Sequence, residues 1–191
     1  MPRETSLFAT LPDLAKVPHH QLRPELMDLT NLQRFLDRVG NPERGLPVIH
    51  VGGSKGKGST AALIAGGLIA LGKRVGVFMS PYLHSPTEGI FLNGRPIDDA
   101  AFEQYIERYE PMLRAMPPAE LISRFQLMTL IALQYFHDED VDFSVMEVGV
   151  GGRLDATNVV ESPVISVITP IEKEHTELLG NSIASISYEK F

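Results

Sequence analysis

Residues 46–79 constrain this chain more than any other stretch. Leu46-Pro47-Val48-Ile49-His50-Val51 is a short apolar run that ends in Gly52-Gly53, and a helical pattern from Lys57 to Ala70 follows, stopped by Gly72. Arg74-Val75-Gly76-Val77-Phe78-Met79 is a second apolar run. Such runs on either side of a helix read as two buried parallel strands joined by a crossover helix. Between the first strand and the helix lies Gly53-Ser54-Lys55-Gly56-Lys57-Gly58-Ser59-Thr60. Glycines let the backbone curl so that successive N–H groups face one anion, and the helix N-terminus adds its partial positive charge. Lys57 can reach β- and γ-phosphate oxygens from there, and the hydroxyl of Ser59 or Thr60 can face magnesium. The spacing is not that of G-x-x-x-x-G-K-[ST], because Val51 stands where the first glycine belongs and Gly58 separates Lys57 from Ser59. The plainer alternative is a flexible glycine loop with solvated lysines.

The remaining pattern extends the same architecture. Up to about Leu29 the chain is polar and rich in proline, and Thr30-Asn31-Leu32-Gln33 then reads as a capping box that opens an amphipathic helix. Gly40-Asn41-Pro42 stops that helix. Gly89 to Ile97, with Asn93-Gly94 at its centre, predicts a small hairpin. Helices are expected near 98–116 and 123–137, parted by Pro117-Pro118, and buried-type strands at 144–148 and 164–168. The loop Gly149 to Asn158 lies between those strands, and a last helix starts near Asn181 or Ser182. The predicted class is α/β, a mostly parallel sheet flanked by helices.

Composition narrows the functions open to such a fold. A net charge of −7 argues against a partner held by charge, so nucleic acid is not expected. A local nest of backbone N–H groups can still hold phosphate in an acidic protein. The chain has no cysteine, which removes disulfides, thiolate metal sites and cysteine nucleophiles. The first twenty residues lack the apolar centre of a signal peptide, and Ala61 to Leu71 is roughly half of the ~20 residues a span needs. The expectation is a soluble, cytoplasmic protein without a membrane partner.

The unusual loop spacing is where a family resemblance appears. IHVGGSKGKGST resembles the phosphate loop of the Mur ligase superfamily, in its folylpolyglutamate synthase/dihydrofolate synthase branch, whose usual form is H-V-A-G-T-N-G-K-G-S. Ser54 and Lys55 replace Thr and Asn of that form. Phe78 to His84 resembles the T-S-P-H-L turn of this branch, with Tyr82 in place of histidine. Met146 to Asn158 closely resembles E-V-G-L-G-G-R-L-D-A-T-N, and Ile168 to Gly180 resembles I-T-S-I-G-x-D-H-x-x-x-L-G. Ser123-Arg124-Phe125-Gln126 corresponds to T-x-F-E, although Phe125 reads first as a core residue. Gly89 stands where the pattern has an arginine after Glu88.

The resemblance implies an ATP- and Mg²⁺-dependent ligase. ATP would phosphorylate a carboxylate of dihydropteroate or of a folate's terminal glutamate, and the amine of L-glutamate would attack the acyl phosphate. It further implies that Gly53 through Thr60 hold the ATP phosphates, with Lys57 catalytic. Ser80, Glu147, His175 and a carbamylated Lys190 would hold magnesium, Glu147, His175 and Lys190 counting as catalytic too. Arg153, Asp155, Ala156 and Thr157 would contact the pterin side of the substrate. Other readings stay open: Glu147 could pair with Arg153, Arg153 with Asp155, and Lys190 could be a solvated terminal lysine. The implied organisation is an N-terminal extension and helix over 1–45 and a partial ATP-binding domain over 46–191, with a C-terminal ligase domain absent. On that basis the chain is expected to be inactive alone and to self-associate through surfaces exposed by truncation. The alternative is a non-catalytic nucleotide- or folate-binding paralogue, or a subunit completed by another chain. A simple phosphate-loop hydrolase is a third reading, opposed by the Asp-Ala-Thr-Asn run.

Overall fold

The computed structural model describes residues 7–13, 16–17 and 27–190. Their elements are α1 (Leu7–Thr10), α2 (Thr30–Val39), β1 (Val48–Gly52), α3 (Lys57–Ala70), β2 (Val75–Phe78), β3 (Ile90–Leu92), β4 (Arg95–Pro96) and α4 (Asp99–Arg114). Then come α5 (Arg124–Asp138), β5 (Phe143–Glu147), β6 (Ile165–Ile168), α6 (Thr176–Leu179) and α7 (Ile183–Lys190). One sheet carries the order β4-β3-β2-β5-β1-β6. Its four strands β2, β5, β1 and β6 are parallel, and the β3–β4 hairpin adds antiparallel to β2. Asn93 and Gly94 both take positive φ, as a two-residue hairpin turn that follows the sheet's twist requires.

Alternation along the strands builds two cores. Val48, Phe78 and Met146 face one layer, where α2, α4 and α5 supply Leu32, Phe35, Phe102, Tyr109, Leu130 and Phe136. Ile49, Val51, Val75, Val77 and Val145 face the other, covered by Ala61 and Ala65 of α3. Helix α2 and the preceding Phe8 and Leu11 belong to the first of these cores. Among the described residues before 46, Phe8, Leu11, Leu29, Leu32, Phe35 and Leu36 bury their apolar side chains in the same core as the sheet.

Two local expectations change. Helix α2 has no capping box: Asp28 accepts from both the amide (2.9 Å) and the hydroxyl (2.7 Å) of Thr30. An ionised carboxylate is a stronger acceptor than a hydroxyl, so the aspartate two residues upstream takes the role. The capping box occurs on α5 instead. Ser123 accepts from the Gln126 amide, and the Gln126 side chain accepts from the Ser123 amide. The other end of the Gln126 amide reaches the Asp28 carbonyl at 3.0 Å and ties the starts of the two helices together.

The outer edge of the sheet is apolar. Val164, just before β6, and Ile165 at its start are 56% and 52% exposed, and Leu63 on α3 is 78% exposed. This is the surface on which the expectation of self-association bears. No helix among the described residues is long and apolar enough to cross a membrane.

Candidate phosphate-binding site

Parallel pairing with β5 and β6 on either side of β1 brings three loops together at one edge of the sheet. Val51 is opposite Glu147, and Gly52 is opposite Ile168, so the loops after β1, β5 and β6 emerge side by side. The turn after β2 joins them through β5. The carboxyl edge of an open α/β sheet is where such folds place their ligands.

Glu147 sits at the centre of this edge and is 5% exposed. Its Oε2 accepts from the Ser80 amide at 3.2 Å, and the Gly58 amide also donates to the carboxylate. A Cβ on Gly58 would lie 3.4 Å from Oε2, so the glycine lets α3 begin directly against the acid. Burial pushes the Glu147 carboxyl above its ordinary range, opposed by the Ser80 amide, the Lys57 ammonium and the Gly58 amide. The expected alternative partner, Arg153, is elsewhere: it pairs with Glu189 at 2.9 Å and lies over the Tyr188 ring. It does not pair with Asp155 either.

The phosphate loop is anchored at its first half. Gly52 O accepts from the amide and the hydroxyl of Thr169, at 2.9 and 3.1 Å. The amides of Ser54 and Lys55 both donate to Pro170 O, at 3.1 and 3.4 Å. The Ser54 hydroxyl accepts from the Glu172 amide at 3.0 Å and donates to the Glu172 carbonyl, and Lys55 pairs with the Glu172 carboxylate. Lys55 and Glu172 each stand where the resembled signatures carry an uncharged residue. From Gly56 onward the loop turns into α3, with Lys57 at its first position.

Lys190 is neither frayed nor solvated. It is 5% exposed and its ammonium donates to Gly53 O at 2.9 Å and to Glu174 at 2.8 Å. Burial raises the Glu174 carboxyl, but the hydrogen bonds from Lys190 and Ser54 and the nearby lysine charges outweigh it and hold the group below its ordinary value. An ammonium has no lone pair for a metal, so Lys190 as placed is a tether for the phosphate loop. His175 takes a left-handed backbone (φ 45°) at the start of α6, in the same loop as Glu174.

The Asp-Ala-Thr-Asn segment is built inward. Asp155, Ala156 and Thr157 are all buried, and a 3₁₀ turn begins at Ala156. Asp155 accepts from the amide (3.0 Å) and hydroxyl (2.7 Å) of Thr157 and from the Val150 amide (2.9 Å). Because the Thr157 proton goes to Asp155, its oxygen accepts from His50 Nε2 at 2.7 Å, which sets the imidazole tautomer. His50 on β1 thereby joins the strand before the phosphate loop to the loop after Glu147. The sequence reading gave it no role, although a lone imidazole in an otherwise apolar strand was a signal.

Burial pushes the His50 pKa down from 6.5 to about 4. The folded protein thus keeps the ring neutral while the unfolded chain protonates it below about 6.5. The contribution to stability is complete above that pH and is lost as pH falls towards 4. At about 1.4 kcal/mol per pH unit it is on the order of 3 kcal/mol. Urea unfolding between pH 4 and 7 should therefore show a steeper fall in stability for the unmutated chain than for His50→Gln. Parallel curves would contradict this.

Oxygen donors at this edge suit a hard cation. Among the described residues no three histidine or acid side chains are gathered to make a metal cage. The buried Glu147 carboxylate, with Ser80 donating its amide to it, is the oxygen donor set here that would suit a magnesium ion.

A mostly parallel sheet with a glycine-rich loop between β1 and α3 and a buried acid at the adjacent strand end defines an α/β domain of the phosphate-loop class. No family model matches the chain. Among known proteins, it is 39% identical over 171 residues to the dihydrofolate synthase/folylpolyglutamate synthase of Mycobacterium tuberculosis, covering 85% of this chain and 35% of that protein. It is 40% identical over 165 residues to the protein of the same name in Bacillus subtilis, covering 85% and 38%. A solved Mycobacterium tuberculosis folylpolyglutamate synthase complexed with ADP superposes with a TM-score of 0.82 at 35% identity, over 96% of this chain and 39% of that one. An FPGS complex with AMPPCP and folate gives a TM-score of 0.81 at 34% identity, over 96% and 43%. The chain is homologous to a portion of the folylpolyglutamate synthase and dihydrofolate synthase family, and spans well under half the length of these relatives.

Proposed function

We propose that this chain supplies the ATP-phosphate and magnesium side of an ATP-dependent ligase that joins L-glutamate to dihydropteroate or to a folylpolyglutamate through an acyl phosphate. The observation that carries this reading is Glu147, buried at the end of β5 and held by the Ser80 and Gly58 amides beside Lys57. The relatives' names supply the ligase class and its folate substrates, and their complexes with ADP and AMPPCP supply the nucleotide.

A carboxylate does not react with an amine at neutral pH, so the reaction must first convert it to an acyl phosphate, a mixed anhydride from which the amine displaces phosphate. Catalysis of that step is positioning and charge. Lys57, the first residue of α3, would meet the transferred phosphate, with the amides of the helix N-terminus directed the same way. Magnesium, held through Ser80, Glu147 and His175, would neutralise charge on the phosphate oxygens. Lys190 belongs to this site by its hold on Gly53 O, and a carbamylated form would supply oxygen to the metal. Arg153 and the Asp155-Ala156-Thr157 turn are proposed for the folate side. For Asp155 and Thr157 the contribution is the shape of the loop, since their polar atoms are spent on one another and on His50. No protein nucleophile is required.

Calorimetric titration with a non-hydrolysable ATP analogue and magnesium tests the reading. The unmutated chain should bind, and Lys57→Ala should weaken binding by roughly tenfold or more, as loss of a charged hydrogen-bond donor implies. Equal affinity of the two proteins would remove the phosphate loop from the function.

A further inference from the structure

We infer that the phosphate loop is divided in function: Ser54 and Lys55 are positioning residues that clasp it to residues 170–172, and the anion is left to the arm from Gly56 onward. This rests on the reading that the loop takes nucleotide phosphate. Both amides of the first arm are spent on Pro170 O. The Ser54 hydroxyl accepts from the Glu172 amide, and its one proton is shared between the Glu172 carbonyl and the Glu174 carboxylate. The Lys55 ammonium is engaged by the Glu172 carboxylate. Polar groups already satisfied within the protein gain little by turning to a phosphate, since each would first give up a bond in hand.

The partners of the clasp, Pro170 and Glu172, lie on the segment that follows β6, Glu172 standing 118 positions from Ser54. That same segment carries Glu174, which holds Lys190, and Lys190 holds Gly53 O. The first arm is thus fixed on both sides before any ligand arrives. Lys55, 72% exposed, and Glu172, 50% exposed, form the outermost rung, where water screens the pair. Its part is to hold the rim of the loop, while Lys57 on the helix remains for the anion. A fixed curl spares the nucleotide the entropy of ordering the loop.

Two measurements test this. The first needs no nucleotide: amide hydrogen exchange on peptides spanning 53–56 and 168–174. Ser54→Ala should speed exchange in both segments together, whereas a change confined to 53–56, or none, overturns the clasp. The second is the titration with the ATP analogue and magnesium on Lys55→Gln, Glu172→Gln, the double variant and the charge swap Lys55→Glu/Glu172→Lys. A clasp predicts that each single variant weakens binding about two- to fivefold. It also predicts that the double loses no more than a single, and that the swap recovers most of the loss. If Lys55 is instead a phosphate ligand, Lys55→Gln loses roughly tenfold or more, Glu172→Gln binds tighter by freeing the lysine, and the swap is worst of all. Absence of binding by the unmutated chain would count against the proposed function and leave the exchange measurement to decide on the clasp.

Discussion

Gly53→Ala is expected to abolish nucleotide binding and to destabilise the fold by more than about 3 kcal/mol. Gly53 has φ +128°, where an L side chain is strained. Its added Cβ would meet Thr169 Oγ1 at 2.0 Å, Thr169 O at 2.8 Å and Thr169 N at 2.9 Å. Rotation of the threonine side chain could relieve the first clash. It cannot relieve the other two, because they are backbone atoms of a residue whose amide is bonded to Gly52 O. Relief would need β1 and the segment after β6 to separate, which dismantles the first arm of the phosphate loop. Thr169→Ala added to Gly53→Ala should therefore fail to rescue either property. Urea unfolding and titration with the ATP analogue read both effects, and an alanine variant that binds within threefold of the unmutated chain would refute the argument.

Lys190→Met should lower stability by roughly 2 to 3 kcal/mol. Removing one member of a buried ion pair typically costs more, because the remaining charge is uncompensated. Here the Glu174 side chain keeps 26% of its exposure while that of Lys190 keeps 2%, so water recovers part of the loss. Gly53 O loses a donor as well. For a chain of this size the melting temperature should fall by roughly 5 to 10 °C. The double variant Lys190→Met/Glu174→Gln should regain part of that, since no stranded carboxylate remains. A single variant as stable as the unmutated chain would mean that the tether contributes nothing, and that Lys190 is held in place only by the packing of α7.

The departures of this chain from the family pattern can be read in the same physical terms. The residue after Glu88 is glycine rather than arginine, yet the turn around it is not left loose. Glu88 Oε2 accepts from the amides of Leu83 and His84 at 2.9 and 3.0 Å, and Gly89 O accepts from Met79 at 2.9 Å. The turn is anchored through its backbone, and the Glu88 carboxyl is held below its ordinary range by those two amides. Phe125, read first as a core residue, lies against Phe78 with ring centroids 5.7 Å apart.

Much of the fold was legible because its signals are local. The limits of α3, the hairpin turn at Asn93-Gly94, and the strands at 75–78, 143–147 and 165–168 follow from periodicity, turn chemistry and glycine placement within a few residues of each feature. The capping of α2 was misread because two acceptors competed within three residues, and only the folded geometry shows which one won. Ser80 and Glu147 were legible as a pair only through the family signatures, since they stand 67 positions apart.

What the sequence by itself determined is the strand–loop–helix unit and the α/β class, and it named the glycine-rich loop from which the phosphate-binding proposal starts. These depend on side-chain alternation and on what glycine, lysine and a helix N-terminus do wherever they stand together. The tertiary structure alone decided how those residues are spent. Strand order sets β1 between β5 and β6, and so brings Thr157 to His50, Glu172 to Lys55 and Lys190 to Gly53 across 107, 117 and 137 positions. No local pattern encodes such pairings, because each depends on which strands become neighbours, and that is settled by burial of the whole sheet rather than by any segment of it.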